Sequence, residues 1–151
     1  MENFAINNLE IFIRLLLAIV LGGVLGIERS VAGKTAGMRT YSIVSMGAAM
    51  FVIISNIVSS QYVNFSFDPL RMASQVIVGI GFIGAGLIIF REEKVSGLTT
   101  AAGLWVSAGI GMAIGFGLYI LAVIATALTL FIFIVLWFIE KGIRKTLDKK
   151  I

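Results

Sequence analysis

The residues able to do chemistry in this chain fall into two groups, each at the edge of an apolar run. The first is Glu28-Arg29, followed by Lys34, Arg39 and Thr40, with Ser96-Gly97-Leu98-Thr99-Thr100 further along. One acid flanked by three bases within about twelve positions can form a fixed ion-pair network. The same set could instead hold an anion or a lipid headgroup, because a helix N-terminus offers free N–H groups and the positive end of its dipole. Hydroxyls at 96, 99 and 100 also suit plain helix capping. The second group is Asp68-Pro69-Leu70-Arg71 with Gln75. Asp favours the N-cap and Pro the first helical position, so a helix is expected to start here. Arg71 and Gln75 share a helix face, and Gln75 falls about one turn inside the apolar run, where a polar side chain needs a partner. Asp68, Arg71 and Gln75 are expected to cluster, and Arg14 could join them or snorkel to the interface.

Absent residue types narrow the chemistry. The chain has no Cys and no His. Disulfides, thiol redox chemistry, Cys/His zinc sites and imidazole-based triads are excluded. Any ion site must use oxygen ligands. Asp68 and Glu28 are weak candidates for a hard cation such as magnesium, because an arginine neighbours each of them. No other cofactor, no enzymatic activity and no nucleic-acid partner is expected.

These groups must be positioned by elements that live in lipid. Of 151 residues, 59% are hydrophobic and only 13% are charged, and mean hydropathy is +1.05. A soluble domain carries about 25% charged residues. Five apolar stretches are long enough to cross the hydrocarbon as helices: about 9–27, 40–60, 71–90, 98–115 and 118–139. Gly115-Phe116-Gly117 is the one tight joint, so the last two spans form a helical hairpin. The basic residues alternate in side: Arg29, Lys34, Arg39, Arg91, Lys94, Lys141, Arg144, Lys145, Lys149 and Lys150 fall on one side, and Arg14 and Arg71 on the other. The fold class is therefore all-α integral membrane protein with five transmembrane helices, N-terminus outside and C-terminus cytoplasmic. Glu2 and Glu10 precede the first run, which reads as a retained helix rather than a cleaved signal. Residues 1–140 form the membrane domain. Residues 141–151 form a short basic cytoplasmic tail, either an ordinary positive flank or a contact to anionic lipid.

Small residues recur at helical spacing. Gly22 and Gly26 form one pair, Gly81 and Ala85 another, and Gly103, Ser107, Gly111 and Gly115 form a stripe. Such faces allow close backbone approach in lipid, either within one bundle or at a homo-oligomer interface, for which a dimer is the simplest expectation. Residues 79–84 match G-x-G-x-x-G, but the motif lies mid-span with no preceding strand, so a nucleotide site is rejected. Gly79, Gly81, Gly84 and Gly86 point to close packing or to a partly unwound span lining a polar cavity.

Five blocks of sequence, in order, resemble the MgtC/SapB family of bacterial inner-membrane proteins. They are Gly26-Ile27-Glu28-Arg29, residues 34–40 (KTAGMRT), 68–76 (DPLRMASQV), 79–86 (GIGFIGAG) and 97–105 (GLTTAAGLW). The resemblance runs from about residue 10 to residue 125. It implies a five-helix domain in the bacterial plasma membrane, a link to growth in low magnesium and, in pathogens, to survival inside macrophages. It also implies inhibition of the F-type ATP synthase rather than transport. Two family features are missing here, the soluble C-terminal ACT-like domain of some members and the cysteine of the founding branch, so roles resting on them do not carry over. Two functions remain open: a regulatory module that docks on other membrane proteins through its small-residue stripe, or a magnesium or other ion transporter or channel formed by an oligomer.

Overall fold

The structure is a computed structural model and describes residues 7–61, 68–91 and 94–147. Five of its helical segments are long and apolar enough to cross a membrane. They are α1 (Asn8–Val31), α2 (Met38–Gln61), α3 (Pro69–Leu87), α4 (Leu98–Gly115) and a fifth span over Tyr119–Ile143. That last span begins as α5 (Tyr119–Phe131), passes through a π-helical stretch (Ile132–Leu136) and continues as α6 (Trp137–Leu147). The expected multi-pass helical membrane fold is present. The tight joint is also present: Gly117 takes φ +79°, which glycine adopts at little cost, and the chain reverses between Gly115 and Tyr119.

Two elements depart from the sequence reading. The third span stops at Leu87 instead of reaching Phe90. A short antiparallel hairpin follows, β1 (Ile89–Arg91) with β2 (Lys94–Ser96), in which Phe90 pairs with Val95. The run Ile88-Ile89-Phe90 is β-branched and aromatic, and it follows Gly84 and Gly86, which weaken a helix. The fifth span is not uniform α-helix, and apolar periodicity gave no sign of its π-helical turn. The helix also runs through residue 141 without a break.

α4 forms the centre. In its membrane-length window 61% of residues are buried, against 17% for α3. A helix apolar or small on all sides suits such a position. α2 packs against α1, α3 and α4, while α3 touches only α2 and α4 substantially. Backbones rather than side chains meet at the crossings. A Cβ on Gly22 would lie 2.6 Å from the Tyr41 carbonyl oxygen, and one on Gly111 would overlap the Ser45 backbone. Helices in lipid gain little from hydrophobicity, so close approach and dispersion hold α1, α2 and α4 together.

Candidate functional site

At the end of the bundle where α1 closes and α4 opens lies a groove of about 1090 Å³. Glu28, Arg29 and Lys34 line it from α1 and the loop that follows. Gly97, Thr99 and Thr100 line it from the start of α4. Phe133, Trp137, Glu140 and Lys141 close it from the last span. Seven members of the first sequence group therefore share one concave site: Glu28, Arg29, Lys34, Gly97, Leu98, Thr99 and Thr100. Arg39 and Thr40 do not line it. They open α2, with Arg39 exposed and Thr40 half-buried.

Arg29 is the pivot. It is only 4% exposed, its Nε donates to the Glu28 carboxylate, and its guanidinium lies 3.7 Å above the centre of the Phe133 ring. Burying a cation is costly unless it is paired, and a carboxylate on one edge with an aromatic face below supply that pairing. The π-helical turn carries Phe133, which is 5% exposed and also packs over Gly103, where a Cβ would overlap it at 2.6 Å. π-bulges re-aim side chains and recur at functional sites. On the groove's rim, the Lys141 ammonium lies 5.0 Å from the Trp137 ring.

The expected capping of α4 is not what forms. Gly97 occupies the N-cap in the left-handed region, φ +90°, and no side chain caps the helix. Ser96 Oγ instead donates to the Ile89 carbonyl within the hairpin at 3.3 Å. Gly97, Leu98, Thr99 and Thr100, the uncapped start of α4, line the groove. Tyr41, which sequence reasoning passed over, fixes the other side of this helix start. Its hydroxyl donates to the Thr100 carbonyl at 3.2 Å, and its own carbonyl accepts from Ser107 Oγ at 3.0 Å.

The second sequence group does not assemble among the described residues. Asp68 caps α3, accepting from the Leu70 amide at 2.9 Å. Arg71 and Gln75 are exposed, and Arg71 offers its carbonyl to Ser74 Oγ. Arg14 neither joins them nor snorkels. It is 4% exposed, paired with Glu10, and donates through Nη1 to the Gly115 carbonyl at 2.6 Å. The reason is its place on α1, where Arg14, Ala18, Gly22 and Gly26 form one buried stripe.

The small-residue faces divide sharply. Gly22 and Gly26 meet α2, and Gly103, Ser107, Gly111 and Gly115 also lie against α2 of the same chain. The long stripe is therefore consumed inside the bundle and is not free for docking. Gly79, Gly81 and Gly86 have nothing within 4 Å of a Cβ position, and Ala85 is exposed. Gly84 alone of that set touches the bundle, at Ala101. α3 is a continuous helix, so the partly unwound span is not found. Of the two weak metal candidates, Glu28 ends α1 and Asp68 starts α3, at opposite ends of the bundle. Among the described residues, no three acidic side chains converge.

Missed by the sequence reading were Phe133, Trp137 and Glu140, while Lys141 entered only as the first residue of the basic tail. Trp137 and Lys141, four apart beside an acid, carried the available signal, that of an aromatic and basic interfacial belt. Nothing in sequence marked Phe133.

Five membrane-length helices with a polar groove at one end define the chain as a multi-pass membrane protein. Residues 15–142 match the MgtC family, and the chain belongs to it. It is 45% identical over 128 residues to YhiD of Escherichia coli (strain K12), a provisionally named magnesium transporter, covering 82% of this chain and 59% of that protein. It is 43% identical over 109 residues to the protein MgtC of Brucella abortus (strain 2308), covering 72% and 44%. An uncharacterized protein of Synechocystis is 42% identical over 121 residues, covering 80% and 50%. The chain thus spans roughly half the length of these relatives. No solved structure shows a significant match.

Proposed function

We propose that this chain is a bacterial plasma-membrane protein of magnesium homeostasis that acts by docking on other membrane proteins, with its N-terminus outside. The link to magnesium rests on the names of its relatives. The observation carrying the docking reading is the pairing of two carboxylates, one at each end of the bundle. Glu10 is bound by Arg14 at one end of the bundle and Glu28 by Arg29 at the other. An arginine on each acid repels a divalent cation and occupies the oxygen ligands that magnesium would need. The docking face is the outward side of α3, where Val78 and Phe82 stand exposed beside the open glycines Gly79, Gly81 and Gly86. Its occupant is a transmembrane helix of a partner, and the F-type ATP synthase is the candidate that the family resemblance implies.

The second reading, transport by an oligomer, is favoured by the provisional label on YhiD. Two measurements separate them. In liposomes holding a magnesium-sensitive dye, the purified chain is expected to give no influx above empty vesicles. From membranes of magnesium-starved cells, it is expected to co-purify with the ATP synthase, and Gly79→Leu with Phe82→Ala is expected to abolish recovery without loss of folded protein. Influx that Glu28→Gln or Asp68→Asn removes overturns docking in favour of transport.

A further inference from the structure

We propose that the groove at the junction of α1, α4 and the last span binds the phosphodiester of an anionic phospholipid, with Arg29 and the open start of α4 as the phosphate site. Three observations meet there. Arg29 is nine-tenths buried and lines the groove, and only its Nε hydrogen-bonds within the described residues. Its Nη groups remain as donors in the fork geometry that suits phosphate oxygens. Thr100 is 4% exposed, also lines the groove, and its hydroxyl makes no hydrogen bond among the described residues. Between them, α4 begins without a side-chain cap, and its first residues, Leu98, Thr99 and Thr100, line the same groove.

The wall of the groove identifies a lipid rather than a soluble phosphate. Ile134, Leu136 and Phe138 line it and are 42%, 47% and 62% exposed, which suits acyl chains. Trp137, with Lys141 over its ring, stands where an interfacial aromatic belongs. The lining charges, Arg29, Lys34 and Lys141 against Glu28 and Glu140, leave one positive charge in excess, matching one phosphodiester. Basic pockets between membrane helices hold anionic headgroups in this way. The π-helical turn has a role in this site, because it carries Phe133, whose ring lies under the Arg29 guanidinium.

The test uses the full chain carrying Trp105→Phe, so that Trp137 reports alone. Short-chain phosphatidylglycerol, phosphatidylcholine and inorganic phosphate are titrated in detergent. Phosphatidylglycerol is expected to shift Trp137 emission saturably and to bind about tenfold or more tightly than phosphatidylcholine. Arg29→Gln is expected to weaken it by at least about tenfold, the range of one charged hydrogen bond. Should Arg29→Gln not fold, Thr100→Val keeps the volume, and Lys141→Gln lies on the exposed rim; each is expected to weaken binding several-fold. Equal binding of the two lipids, or affinity unchanged in the folded variants, overturns the proposal. Inorganic phosphate competing as well as the lipid overturns the lipid assignment and leaves a soluble phosphate as the ligand.

Discussion

Arg14 donates through Nη1 to the carbonyl of Gly115 at 2.6 Å, joining α1 to the last residue of α4 across 101 positions of sequence. A helix ends with four carbonyls that its own amides do not reach. In α4 the turn satisfies three of them: Phe116 N–H donates to Met112, Gly117 N–H to Ile114 and Leu118 N–H to Ala113. Arg14 satisfies the fourth. A cation also complements the negative end of the α4 dipole, and Glu10 holds the guanidinium in place. Arg14→Met keeps an unbranched apolar stem but leaves the Gly115 carbonyl unpaired. The expected loss is about 1.5–3 kcal/mol, the range for a hydrogen bond to a charged group. Denaturant unfolding of the purified protein in detergent reads this directly. A side chain that merely reached for the interface would leave the midpoint unmoved.

Two glycine classes make opposite predictions. Gly111→Ala forces a Cβ into the Ser45 backbone, which cannot swing aside, so α2 and α4 must separate. Overpacking of this kind costs about 1–3 kcal/mol and more against rigid backbone. Gly79→Ala meets open space, and removing a helix-weakening glycine is expected to be neutral or to stabilise by up to about 1 kcal/mol. Thermal melts of the two variants side by side decide it. Equal destabilisation would show that α3 is packed against something along its outward face even in the purified chain.

Much of the frame was legible because lipid imposes a simple code. A span needs a minimum apolar length, so the five membrane-length helices and the reversal at Gly117 could be read from the sequence. The polar sites were only half legible. Glu28, Arg29, Lys34, Thr99 and Thr100 could be grouped because each lies at a helix end near charged neighbours. Phe133 could not, since its inward aim depends on a π-helical turn whose cause is tertiary. Arg14 was misjudged because a lone arginine near a helix end looks the same whether it snorkels or caps a distant helix. The small-residue stripe 103–115 proved that α4 meets something closely, and only the coordinates showed α2 as that partner. A resemblance in five blocks carried the family, and it needed no geometry.

Gly97 joins the hairpin to α4 at φ +90°, and a Cβ there would overlap the Leu87 carbonyl. Strain and clash act together in Gly97→Ala. The expected cost is about 1–3 kcal/mol for the conformation alone. Because Gly97 also sets the open start of α4, the variant is expected to expose this end of the bundle first. Hydrogen exchange of the Thr99 and Thr100 amides should rise while that of the Gly111–Gly115 segment stays low. Uniform acceleration would mean that the hairpin is a part of the global core rather than a local clamp.

The orientation of the bundle can be tested without disturbing the fold, because the chain contains no cysteine. Gln61 closes α2 and Lys145 lies near the end of α6, and both side chains are exposed. With an odd number of spans and the basic residues on one side, these two positions face opposite compartments. Gln61→Cys is expected to react with a membrane-impermeant maleimide from the periplasmic side of intact spheroplasts. Lys145→Cys is expected to react only after the membrane is opened. The proposed phosphate groove, lined by Lys34 and Lys141, lies on the Lys145 side, so it is expected to open to the inner leaflet and the same labelling tests this. The reverse labelling pattern would place that groove outside and set the chain against the positive-inside rule. Labelling of both cysteines from one side would require an even number of crossings between them, and hence a span that does not cross.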